Sequence, residues 1–243
     1  MRRFVRKTNL EEIKETTKRM ALIMSPKETM LQIAIHPFVD NMYWYEKQFY
    51  KKCPMDECYL GDDKIYHEWY ENFCSKVDKA EDLTRVYMFW RDPWKLTFMK
   101  YCGKYLSAKD YAELLADAWV TEENPNMDVN VSRKEAIKMF NSCDKKLLME
   151  KEDYEYYMNL PDEITIWRGV GYHRIDLGLS WTDDEDKAKW FMNRWKSSDK
   201  YNTRQLLQVT TNKKNVIAYF NTRDEKEILL DVFAIKDKIK RII

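Results

Sequence analysis

The spacing of apolar residues changes at Leu160-Pro161-Asp162, and this change constrains the fold more than any other feature of the chain. Before it, apolar side chains recur at helical intervals. Tyr111, Leu114, Leu115, Ala118 and Trp119 form one stripe of a helix, and that stripe needs a core to pack on. After it, short β-branched and aromatic runs at 164–167, 205–210, 215–220 and 228–235 read as strands separated by turn residues. The class expected is α+β, with a helical front part followed by a strand-rich back part.

Several helix starts carry their own caps. Asn9, Asp62 and Ser107, the last with Asp110 three residues on, are suited to accept the free N–H groups of a first turn. Ser132 with Glu135 makes a capping box ahead of Ala136, Ile137, Met139 and Phe140, after a loop marked by Asn124-Pro125-Asn126. Thr182 with Glu185 reads as a further capping box, introducing a helix over 183–195 on which Ala188, Trp190, Phe191 and Trp195 fall. The aromatics there, and Trp181 before them, can stack on a ligand ring, but such spacing belongs more often to a core. The expected division is a helical region over 1–105 and a second domain over 106–243, helical to about residue 160 and stranded beyond.

With 243 residues the chain has room for a proper core in one domain or two. Its 42 Lys and Arg against 41 Asp and Glu give a net charge of +1, so no whole-chain field draws it to nucleic acid or an anionic membrane. The aromatic run 42–50, with Lys51 and Lys52 behind it, reads better as a packed helix face than as a platform for single-stranded nucleic acid. No stretch approaches the roughly 20 apolar residues of a spanning helix, and no apolar run of secretory length follows the basic Arg2-Arg3 opening. Five cysteines, only Cys53 and Cys58 of them close, imply reduced thiols and a cytosolic setting. Cys53, Cys58, His67 and Cys74 match no familiar zinc spacing, so no metal is expected. His36, His67 and His173 stand beside no obvious nucleophile, which removes support for a hydrolase triad. Residues 196–204 read as a polar connecting loop.

Three local patterns carry chemistry. Ile164-Thr165-Ile166-Trp167-Arg168-Gly169 is an apolar strand ending in a guanidinium, a bidentate clamp for phosphate, and in a glycine that admits a close ligand. In Gly178-Leu179-Ser180-Trp181-Thr182, alternation sets Ser180 and Thr182 on one face and Trp181 on the other; Thr182 is explained as a helix cap, which leaves Ser180 as the working hydroxyl. Asp224-Glu225-Lys226-Glu227 places two carboxylates at i and i+2 before the apolar Ile228-Leu229-Leu230; on an extended chain they face the same way. Each alone has an ordinary reading as surface charge or a capped turn.

Their order resembles the arginine, serine, glutamate class of mono-ADP-ribosyltransferases, the class that includes cholera-type and clostridial binary toxins and many phage proteins. The resemblance covers about residues 167–231 and implies a β-sandwich-like core that binds NAD. It implies that Arg168 holds the NAD diphosphate or the nicotinamide ribose, that the Gly169 backbone meets the carboxamide, and that Ser180 orients Glu227. Trp181 and Thr182 would border the same site. Glu227 would bind the ribose 2′-hydroxyl and stabilise the oxocarbenium-like transition state, and Glu225 would prepare the acceptor. Glu rather than Gln at 225 is similar to the arginine-modifying members, which implies a protein acceptor modified on arginine. Two alternatives share the fold: an NAD glycohydrolase, and a catalytically silent protein-interaction module, for which keeping both glutamates has no reason.

Overall fold

The computed structural model describes residues 4–30, 33–44, 58–171, 174–194, 204–222 and 224–243. Cys53, residues 45–50 of the aromatic run, Lys51, Lys52, His173 and residues 195–203, Trp195 among them, lie outside the described residues. The chain is α+β, and it divides into two compact units, Phe4–Ser107 and Ala108–Ile243.

The first unit holds α1 (Leu10–Ile23), a two-residue hairpin of β1 (Lys27–Glu28) and β2 (Ala34–Ile35), α2 (Asp63–Asp78), α3 (Leu83–Met88) and α4 (Lys95–Cys102). Asn9 and Asp62 cap α1 and α2 through their side-chain oxygens. The core is aromatic: Tyr66 stacks on Trp69 at 5.3 Å and Trp69 on Phe73 at 5.2 Å, one face of α2 repeating at three and four residues. Arg91 ties the segment after β2 to this core, its Nη1 donating to the carbonyls of Ala34, His36 and Val39. Cys58 is buried and His67 exposed; among the described residues, which leave out Cys53, no group of three or more His, Cys, Asp or Glu is placed to hold a metal. No helix among the described residues is long and apolar enough to cross a membrane.

The second unit begins with α5 (Ala108–Thr121), α6 (Arg133–Asn141), α7 (Lys145–Leu148) and α8 (Lys151–Asn159). On α5 the apolar stripe is buried at Tyr111, Leu115, Ala118 and Trp119, as its spacing requires. Both halves of the Ser132–Glu135 capping box are formed at α6. There follow β3 (Glu163–Val170), β4 (Ser180–Thr182), α9 (Glu185–Asn193), β5 (Gln205–Asn212), β6 (Val216–Phe220), β7 (Glu227–Leu230) and β8 (Lys240–Arg241). Six strands form one antiparallel sheet in the order β6-β7-β4-β3-β5-β8. The strand expected over 228–235 stops at Leu230, because Asp231 accepts the Ala234 N–H and turns the chain into a 3-10 turn.

The six strands belong to one sheet, but they are unevenly paired. β3 pairs with β5 along its whole length, and β4 pairs with β7 at all three of its residues, but β3 and β4 share only the pair Trp167↔Thr182. The sheet is therefore two three-stranded leaves joined at one row, Trp167–Thr182–Glu227. Helix α9 covers the β3 leaf, where Ala188, Met192 and Leu206 pack with Trp167.

Candidate active site

Where β3 and β4 part, a side chain replaces the missing ladder. Arg168, one residue past the shared row, is 8 % exposed; its Nη1 donates to the Ser180 carbonyl at 2.6 Å and its Nη2 to the Ile175 carbonyl at 3.0 Å. Buried carbonyls left by a diverging strand need donors, and a planar guanidinium supplies two at once. Gly178 exists to make room for it: a Cβ there would stand 2.2 Å from Nη2. Burial pulls the Arg168 pKa down from 12.5 to about 10, opposed by the Glu227 carboxylate, so the group stays charged at neutral pH. Its Nε is the donor without a protein partner. The reading of Arg168 as a free phosphate clamp is modified accordingly, since both Nη atoms are already engaged by the main chain.

Gly169 is glycine for a different reason from the one the sequence suggests. A Cβ at this position would stand 1.9 Å from the Ala188 carbonyl oxygen and 2.6 Å from the Met192 nitrogen, so the missing side chain makes space for α9, while the residue still borders the cleft.

Glu227 opens β7. Its carboxylate accepts the Trp119 indole N–H at 2.9 Å and is hydrogen-bonded by the Ser180 hydroxyl. The direction of that second bond is set by Asn126, whose Nδ2 donates to Ser180 Oγ at 3.2 Å while its Oδ1 accepts the Leu179 N–H at 2.5 Å. With Asn126 donating to its oxygen, the hydroxyl has its own proton for the carboxylate. Desolvation raises the Glu227 pKa and the nearby Glu225 adds to this, while Ser180, Trp119 and Arg168 lower it; the net effect is upward.

Glu225 does not reach the site by strand alternation. Asp224 and Lys226 on either side of it have φ of 54° and 48°, so the chain there is a turn, at a cost of about 1 kcal/mol for each left-handed residue. The turn is held from outside. Asn221 accepts the Asp224 N–H through its carbonyl and the Lys226 N–H through its side chain; Lys187 reaches Asp224 at 3.2 Å and Lys226 reaches Asp184 at 3.0 Å.

Thr182 does not cap α9. Its hydroxyl accepts the Asp184 N–H at 3.2 Å, and Asp184 is the cap, taking the Lys187 N–H at 3.0 Å. The cap moves, and no capping box forms, because the strand continues through Thr182, which places the first free helical N–H groups two residues later. Trp181 is buried and donates its indole N–H to the Gly178 carbonyl.

Arg168, Gly169, Ser180, Trp181, Thr182, Glu225 and Glu227 all line one cleft of about 140 Å³. That is close to the roughly 150 Å³ of a cavity that takes one benzene ring, so the enclosed part suits a single ring and any longer ligand extends through the mouth. Trp119, Glu122, Asn126, Arg174 and Phe191 line it too. Sequence reasoning passed over Trp119 as core and Asn126 as loop. A signal was present in the first case: an indole N–H within an apolar stripe needs an acceptor, and the one acceptor in the stripe, the Tyr111 hydroxyl, is eight residues away. Glu122 has a buried Oε2 without a partner, and burial, with Asp128 adding to it, pushes its pKa up to about 8.

The chain matches no family model, no curated protein and no solved structure.

Proposed function

We propose that the protein is an NAD-dependent mono-ADP-ribosyltransferase acting on protein arginine in the cytosol. The observation that supports this most is Glu227: a carboxylate held by two donors, Ser180 and Trp119, at a cleft it shares with Glu225 and the buried charge of Arg168. A fixed anion facing a ring-sized space is suited to a sugar carbon that gains positive charge.

In this reading the C1′–N bond of NAD breaks and its electron pair goes to nicotinamide, which leaves neutral. Glu227 accepts the ribose 2′-hydroxyl proton in a hydrogen bond and stabilises the cationic C1′. A guanidinium nitrogen of the acceptor then bonds to C1′, and Glu225 takes the proton it loses. Glu227 has to be ionised for this, so its upward-shifted pKa makes activity fall on the acid side.

The test is incubation of the protein with adenine-labelled NAD and a cell lysate, beside Glu227→Gln. Label transferred to protein by the wild type and lost at least 100-fold in the variant, the scale of a removed electrostatic stabiliser, supports the transferase. Free ADP-ribose without labelled protein supports the glycohydrolase, and no NAD consumption overturns both.

A further inference from the structure

The helical layer of the second unit contributes directly to the site. Trp119 is 1 % exposed and fixed by packing: its ring meets Phe140 edge-on at 5.4 Å, and Phe140 leans in turn on Phe220 at 6.3 Å. An indole this constrained has one orientation for its N–H, and that orientation meets Glu227 Oε1 at 2.9 Å. The indole N–H is a donor only, so it favours the ionised carboxylate over the protonated acid.

We propose that Trp119 is a positioning residue for Glu227: it fixes the carboxylate rotamer and keeps it ionised at a desolvated place. This role is needed because two influences, desolvation and the charge of Glu225, both favour the neutral acid. Ser180 donates to the carboxylate from β4 and Trp119 from α5, so the group is held from both the sheet and the helical layer. The other charged groups that line the cleft are Arg168, Arg174, Arg194, Glu122 and Glu123; of these Arg168 acts on Glu227 in the same sense as Trp119. The inference rests on the proposed reaction only for its kinetic consequence.

The experiment follows the Glu227 carboxyl carbon by NMR in protein labelled on glutamate, the signal being identified by its loss in Glu227→Gln. In Trp119→Phe, which keeps an aromatic ring and removes the N–H, Glu227 is expected to titrate at a pH higher by about one. If Trp119→Phe fails to fold by near-ultraviolet circular dichroism, the benzothienyl analogue of tryptophan at position 119 alone removes the N–H without changing the shape. Titration of Glu227 at the wild-type pH in a folded variant overturns the proposal. Where the wild type turns over NAD, kcat is expected to fall about tenfold with KM for NAD unchanged and the acid limb of the pH profile displaced upward; a raised KM with unchanged kcat overturns it. A wild type that does not consume NAD defeats the proposed function, while the titration still decides the role of Trp119.

Discussion

Substituting Glu122 by glutamine should flatten the pH dependence of stability in the Ala108–Ile243 unit. Glu122 keeps its proton to about 8 in the folded chain, because it is buried and faces Asp128, whereas its ordinary value is 4.5. Between those values the folded state holds a proton that the unfolded state has released, so stability falls as pH rises, by at most about 1.4 kcal/mol for each pH unit. Below about 4.5 both states are protonated and the penalty is absent; above about 8 it is complete. Because the side chain is only partly buried, solvent screening reduces the total to about 2 kcal/mol. Glutamine has no proton to lose, and any change it makes in packing is the same at every pH. Urea unfolding of wild type and Glu122→Gln at several pH values from about 5 to 9 isolates the effect, since all other titrating groups cancel in the difference. The variant is expected to gain about 2 kcal/mol on the wild type across that range. A difference that stays constant with pH, or that shrinks as pH rises, refutes the reasoning.

Two further outcomes are open to direct measurement. Gly169→Ala forces its Cβ against the α9 backbone at Ala188 and Met192, and the overpacking should cost about 2–3 kcal/mol and lower Tm by roughly 5–10 °C; a melting curve unchanged within about two degrees would mean that α9 yields freely. His36 is fully buried, and desolvation depresses its pKa from 6.5 to about 4. The unfolded chain then takes up a proton that the folded one refuses, so the Phe4–Ser107 unit should lose stability as pH falls from about 6.5 toward 4, by about 3 kcal/mol in all. The ring signal of His36, assigned with His36→Gln, is expected to titrate near pH 4, and titration near 6.5 would contradict this.

Local signals in the sequence translated well into structure. Asn9, Asp62 and the Ser132–Glu135 pair cap their helices because a cap depends on three or four adjacent residues. The change of spacing at Leu160-Pro161-Asp162 falls between α8 and β3 for the same reason. Arg168, Ser180, Glu225 and Glu227 line one cleft, but by routes that spacing does not encode. Strand alternation was the expected route for Glu225, whereas a turn with two left-handed residues, tied to α9, brings it there. Gly169 borders the cleft, but the room its missing side chain leaves is taken by a helix that follows it by some twenty residues. Trp119 and Asn126 were legible only as core and loop, because their partners Glu227 and Ser180 are 108 and 54 residues away. Side-chain hydrogen bonds across such separations leave no periodic trace.

The single row that joins the two leaves also bears on how the chain fails. Within each leaf several ladder pairs share any load, but among the described residues the strands of the two leaves are joined by one ladder pair and one guanidinium, with α9 packed across β3 and β4. The weakest seam of the sheet thus runs through the cleft, and Arg168 lies on one side of it while Ser180 and Glu227 lie on the other. Parting the leaves dismantles the cleft while β3-β5 and β4-β7 stay paired. A copy of this chain in which the leaves have parted therefore loses the cleft first and its secondary structure later.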